Sequence, residues 1–185
     1  TDETALKWDP MQKTYSGFSL SVEAGEAGLG EVIGVLGPNG IGKTTFVKLL
    51  AGIEKPDTGA SPMAGESAVG YKPQYISAEY EGTVTDLLRS LAKDEFTSGW
   101  YKTEIQEPLN LEPLLERNVA QLSGGELQRI AIAAALANDA PVLLADEPTG
   151  ELDTVNAKCV VDYLVKVNRE LGKTIIMVTH DPSVA

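Results

Sequence analysis

The nine residues GPNGIGKTT at positions 37–45 restrict the possible architectures more than any other part of the sequence. They fit G-x-x-x-x-G-K-[ST] through Gly37, Gly42, Lys43 and Thr44. On one side lies the apolar run EVIGVLG (31–37), which predicts a strand buried on both faces. On the other lies a predicted helix over about 43–52, with Phe46, Leu49 and Leu50 on one face, Gly52 at its end and Pro56 blocking its continuation. Strand, glycine turn and helix is the context in which this pattern binds phosphate. Glycines let backbone N–H groups turn inward, and the helix N-terminus adds the positive end of its dipole. Lys43 is placed to bridge β- and γ-phosphates, and Thr44 offers a hydroxyl to Mg²⁺. Gly37, Asn39, Gly40, Gly42, Lys43, Thr44 and Thr45 are therefore the predicted nucleotide cradle. No N-K-x-D element is present to read guanine, so ATP with Mg²⁺ is the expected ligand.

Such a device is needed, because 15 basic and 27 acidic residues leave a net charge of −12, which repels anions. Direct nucleic-acid binding is not expected. The longest apolar runs, such as residues 130–137, fall well short of the roughly 20 needed to span a bilayer, and TDETALKWDP at the start has no apolar signal core. A soluble, cytoplasmic protein is expected. Cys159 is the single cysteine, which excludes an internal disulfide and a thiolate cluster and is read as a small hydrophobe on a helix.

The length of 185 residues suits one α/β domain, taken as residues 1–185. Two β-like runs come first, at 18–24 and 31–37, then the glycine loop with its helix and a Gly/Pro/Ser-rich surface loop at 54–65. AVGYKP (68–73) reads as a short strand; TVTDLLRSLA (83–92) and YKTEIQEPLN (101–110) read as helical, within a helical region of about 75–138. A helix follows to about Asn138, then a strand PVLLAD (141–146), a helix over about 155–171 and a strand KTIIMVTH (173–180). This alternation predicts a parallel sheet with right-handed crossovers. The sequence stops just after a strand, where nucleotide-binding sheets normally continue, so an excised or truncated domain is expected.

Four further positions carry candidate chemistry. VLLADE (142–147) is a short apolar strand ending in two acids; Asp146 can hold Mg²⁺ through water, and Glu147 can polarise an attacking water. His180, the sole histidine, ends the strand expected beside the one carrying Asp146, where a donor can reach a γ-phosphate. Gln74 follows a strand in a Pro-bounded loop, where an amide can orient Mg²⁺ or water. In LSGGELQR (122–129), Ser123-x-x-Glu126 reads either as a capping box or as a second phosphate site. In the latter, Ser123, Gly124 and Gly125 offer hydroxyl and N–H groups, with Gln128 and Arg129 a turn further on, nearer an interface.

From about Tyr15 to Asp181, the order GPNGIGKTT, Gln74, LSGGE, VLLADEP, Leu152-Asp153 and His180 resembles the ATP-binding cassette (ABC) family, LSGGE being the most specific part. The resemblance implies an α/β P-loop NTPase fold: a parallel sheet core, an N-terminal antiparallel β subdomain and a helical subdomain. It implies a sandwich dimer, in cis with a second nucleotide-binding domain or as a homodimer, in which LSGGE of one domain and the phosphate loop of the other share one ATP. It places Asp153 at the nucleotide, and Tyr15, with Phe18 as the second candidate, against adenine. Glu147 becomes the base or water-orienting group and His180 the γ-phosphate contact of an ATPase, with low activity expected of a truncated form. Residues 31–136 are most similar to the second nucleotide-binding domain of the ribosome-recycling ATPases, which implies a ribosomal subunit as partner. DEPTGELD and the closing NRELGKTIIMVTHDP are more similar to transporter ATPases, whose partner is a membrane subunit. A non-hydrolysing ATP-binding module is the third alternative. The coiled coil of a chromosome-organising ATPase is not expected, since fewer than 50 residues separate Gln74 from Ser123 and lack sustained heptads.

Overall fold

The computed structural model describes residues 3–62, 69–72, 80–150 and 152–182. At its centre is a parallel sheet in the order β5 (Val32–Leu36), β8 (Thr174–Thr179), β7 (Val142–Asp146), β6 (Val69–Lys72). Strands β7 and β8 are buried throughout, because they lie between neighbours on both sides and helices on both faces. Their side chains alternate accordingly. Val142, Leu144, Ile176 and Val178 face α1 (Lys43–Leu50) through Val47, Leu49 and Leu50. Leu143, Ile175 and Met177 face α4 (Gly124–Ala135) and α5 (Thr154–Arg169) through Ile130, Ile132, Val160 and Leu164. Each fully buried aliphatic side chain contributes about 1.5–3 kcal/mol, so this pair of strands anchors everything hung from its ends.

β5 departs from expectation. It pairs with β8 alone, at an edge of the described sheet, and Val32 and Leu36 are 47% and 49% exposed. Only Ile33 and Val35 pack on the core, so the apolar run does not mark a strand covered on both faces.

Nor do the runs at 18–24 and 31–37 come first. β1 (Thr4–Trp8) and β2 (Met11–Tyr15) precede them; β2 pairs with β3 (Phe18–Val22), and β1 pairs with β4 (Gly25–Gly28). These strands form two antiparallel pairs beside α1, and Leu6, Met11 and Ala27 join its core. Sequence pattern misses β4 because GEAG has no branched or aromatic residue. Its place is fixed by Trp8, whose ring carbon Cζ2 lies 2.5 Å from where a Cβ of Gly25 would stand, so that any side chain there would displace the indole.

The helical region opens with α2 (Val84–Ala92), started by a reciprocal cap in which the Thr83 hydroxyl accepts from the Asp86 N–H and the Asp86 carboxylate accepts from the Thr83 N–H. A short helix α3 (Gly99–Tyr101) runs into a π-helical turn, Lys102–Gln106. Tyr163 of α5 donates to the Glu104 carbonyl at 2.9 Å, and Lys166 pairs with the Glu104 carboxylate at 2.9 Å, which ties this region to the sheet's helices. No helix among the described residues is long and apolar enough to cross a membrane.

Candidate functional site

Of the residues predicted at the phosphate loop, Asn39, Gly40, Gly42, Lys43, Thr44 and Thr45 line one cavity, whereas Gly37 is outside its lining. α1 starts from Gly42 at φ 100°, a left-handed conformation that glycine adopts without strain. No side chain caps this helix, and its first turn holds no acid. The initial N–H groups are thus unclaimed by any cap and lie at the positive end of the dipole, which is an anion site. They border a cavity of about 510 Å³ lined by Phe18, Asn39, Gly40, Gly42, Lys43, Thr44, Thr45 and Glu147, large enough for a nucleotide's phosphates. Phe18 supplies the aromatic wall; Tyr15 stands outside that lining, stacked on Phe18 with ring centres 6.4 Å apart.

The acid pair enters from β7. Glu147 has φ 47°, which is uncommon for a residue with a side chain, and its N–H donates to the Val178 carbonyl at 2.8 Å. That turn presents a buried carboxylate to the cavity, 3.8 Å from the Lys43 ammonium. Lys43 also donates to the Gly37 carbonyl. His180, exposed at the end of β8, brings Nδ1 to 3.1 Å from both Glu147 carboxylate oxygens. Because a carboxylate only accepts, Nδ1 carries a proton here, and Nε2 can donate to a third group only from the doubly protonated ring. Asp146 is fully buried, with the Thr44 hydroxyl beside its carboxylate. Burial raises its pKa, opposed by the Thr44 hydroxyl and the Lys72 ammonium.

Lys72 escapes a reading of the sequence. It is the last residue of β6, fully buried, and its ammonium donates to the backbone carbonyls of Asp146 at 2.8 Å and Glu147 at 3.3 Å. Burial pulls its pKa down to about 8, against the attraction of Asp146 and Glu147. The available signal is a lysine inside the apolar strand VGYK.

The LSGGE segment lies outside the cavity lining and forms the start of α4. Its capping box is complete: the Ser123 hydroxyl accepts from the Glu126 N–H at 3.2 Å, and the Glu126 carboxylate accepts from the Ser123 N–H at 2.9 Å. The Ser123 backbone bond is the leading cause of a lowered Glu126 pKa. Ser123→Ala is therefore expected to cost about 1 kcal/mol, measurable as a fall of a few degrees in the thermal midpoint. The two glycines have different reasons. A side chain on Gly124 would meet open space, whereas a Cβ on Gly125 would stand 2.5 Å from the Asn156 side chain. Asn156 is held in turn by Asp153, which accepts from its N–H at 2.8 Å and from its amide at 2.7 Å. Asp153 thus caps α5 and secures the contact with the start of α4. Gln128 and Arg129 do not face outward: Gln128 is buried, and Arg129 donates to the carbonyls of Leu109 and Asn110 at 2.9 and 3.2 Å. Gln74 lies outside the described residues.

The family model described as "ABC transporter" matches residues 17–150, which span the phosphate loop, the LSGGE helix and the acid pair. The chain belongs to the ATP-binding cassette family. This cassette is 50% identical over 176 residues to an uncharacterized ABC transporter ATP-binding protein of Methanocaldococcus jannaschii, covering 95% of the chain and 29% of that relative's length. Its backbone is similar to that of an archaeal ribosome recycling factor solved in complex with an archaeal ribosomal stalk protein: TM-score 0.85 and 46% identity over 99% of the chain and 35% of that protein. It is similar as well to a bacterial ABC transporter cassette solved as a dimer, at TM-score 0.77 and 28% identity, covering 97% of the chain and 90% of that cassette. The mixed fold, with its parallel core and antiparallel strands, is that of the P-loop cassettes, and ABC ATPase domains bind ATP.

Proposed function

We propose that this chain binds and hydrolyses ATP as one half of a two-cassette motor of the ribosome-recycling type. The observation that carries the ATPase reading is the Glu147 carboxylate at the mouth of the phosphate cavity, between the Lys43 ammonium and the His180 ring. In this reading the open N–H groups of α1 and the loop hold the β-phosphate, and Lys43 exchanges the Gly37 carbonyl for phosphate oxygens. The donor set fits Mg²⁺: the buried Asp146 carboxylate and the neighbouring Thr44 hydroxyl are hard oxygen ligands that suit an ion that keeps most of its waters and takes few protein ligands. When bound, Mg²⁺ neutralises charge building on the transferred phosphoryl group. Glu147, which lines the cavity, takes a proton from the attacking water, and His180, held against it through Nδ1, donates from the doubly protonated ring through Nε2 to the γ-phosphate. Phe18, with Tyr15 stacked behind it, faces the purine. Asn39, Gly40 and Thr45 complete the phosphate wall.

Ser123, Gly124 and Gly125 are absent from this cavity's lining, which supports their serving the ATP of a second cassette. The first-turn N–H groups of Gly124 and Gly125 form the anion-binding end of α4, and the Asp153–Asn156 pair steadies it. The dimeric transporter cassette supports assembly in pairs. The recycling role rests on 46% identity to the archaeal factor across nearly the whole chain, against 28% to the transporter cassette. The name of the 50% identical relative favours a transporter instead, which makes a membrane subunit the second candidate partner. Capture of the MgATP-loaded protein from fractionated cells decides between them: enrichment with ribosomal subunits is expected, and enrichment with membranes alone would refute the recycling role.

A further inference from the structure

We propose that Lys72 is a positioning residue for hydrolysis: its buried ammonium holds the Asp146–Glu147 turn so that the Glu147 carboxylate points into the phosphate cavity. This rests on the ATPase reading above, with Glu147 as the base.

The geometry of the sheet end is the basis. Among the described residues the β6–β7 pairing runs as far as Lys72 opposite Ala145. On the other side β8 continues to support the turn, pairing Asp146 with Val178 and accepting the Glu147 N–H through the Val178 carbonyl. On the β6 side the Lys72 side chain donates to the carbonyls of both Asp146 and Glu147. Glu147 stands at φ 47° at that point. A side-chain-bearing residue persists in such a conformation only where its surroundings over-determine it. Here the restraints are the Val178 carbonyl, the Gly150 N–H, which donates to the Glu147 carbonyl at 3.0 Å, and Lys72. Among the described residues Lys72 alone joins both carbonyls through one group.

The chemistry of the residue also argues for a task. Packing needs at this depth are met by an aliphatic side chain, and a buried ammonium is costly unless its donors are used. Among the described residues Lys72 reaches no carboxylate oxygen within ion-pairing distance, and its ammonium donates to two main-chain oxygens of the acid pair. A cation spent on the backbone of the turn that bears the base fixes direction more than it adds cohesion. A small misalignment of a base against its water costs a large factor in rate without weakening the grip on phosphate.

The test uses the full 185-residue chain, comparing Lys72→Met, which keeps length and bulk, with Lys72→Gln, which keeps one N–H donor. Single-turnover ATP hydrolysis, ATP affinity and thermal unfolding are measured for each, alone and combined with Glu147→Gln. Lys72→Met is expected to lower the hydrolysis rate about 10- to 100-fold and to leave ATP affinity within about twofold, with Lys72→Gln intermediate. In the Glu147→Gln background, Lys72→Met should add no further loss, because there is no longer a base to aim. Full activity in Lys72→Met, a matching loss of ATP affinity, or an undiminished loss in the Glu147→Gln background would each overturn the assignment. Should Lys72→Met fail to fold, the same criteria apply to Lys72→Gln. If Glu147→Gln itself hydrolyses ATP at the wild-type rate, the base reading fails, and the role of Lys72 falls with it.

Discussion

Glu147→Gln is expected to bind ATP with near-native affinity while hydrolysing it about a hundredfold to ten-thousandfold more slowly, the range supplied by a positioned general base. The substitution keeps the shape of the side chain and removes its capacity to accept a proton. The main grip on phosphate is untouched: the loop, the start of α1 and Lys43 remain, and His180 keeps one amide oxygen to which Nδ1 can donate. Lys43 loses a carboxylate 3.8 Å away, which frees the ammonium for phosphate. Loss of turnover without loss of binding marks an interaction that matters in the transition state. Nucleotide affinity and single-turnover rates on the same preparation measure both sides. Wild-type turnover in the Gln variant would remove Glu147 from the role of base.

The second large effect is on stability. In Gly70→Ala the new Cβ would lie 1.9 Å from the Ala135 carbonyl oxygen and 2.9 Å from its carbon, both backbone atoms at the end of α4. A flexible side chain could turn aside; a helix terminus packed on a strand has to move as a unit. Overpacking of this kind costs about 1–3 kcal/mol and occasionally more, so a fall of roughly 5–10 °C in the thermal midpoint is expected for a domain of this size. Since α4 begins with Ser123 and Gly124, its displacement should also shift the LSGGE segment against Asn156. An unchanged midpoint would mean that α4 does not sit as closely on β6 as the structure places it.

Where local pattern is dense, the sequence is a good guide. The strand and helix around GPNGIGKTT, the buried strands ending at Asp146 and Thr179, and the adjacency of those strands all follow from apolar runs, glycine placement and alternation. The P-loop strand's edge position does not: an apolar run looks alike whether one face or two are covered. β1, β2 and β4 are short and partly polar, and their pairing spans gaps that leave no periodic trace. The LSGGE segment illustrates a third situation. Its capping box and its exposed Gly124 coexist, so the two readings of one motif are not rivals, while Gly125 owes its lack of a side chain to Asn156, some 30 residues away.

By itself, then, the sequence determines the elements whose chemistry is contiguous: a phosphate loop between strand and helix, and two acids at a strand's end. Only the tertiary structure decides how those acids are aimed. Glu147 points at the cavity because Val178 of β8 and Lys72 of β6 converge on its backbone beside Gly150 of its own turn, and His180 reaches its carboxylate from just past β8. Side-chain type is local information, but the direction of a carboxylate is set by hydrogen bonds between residues that are neighbours only once the sheet has formed.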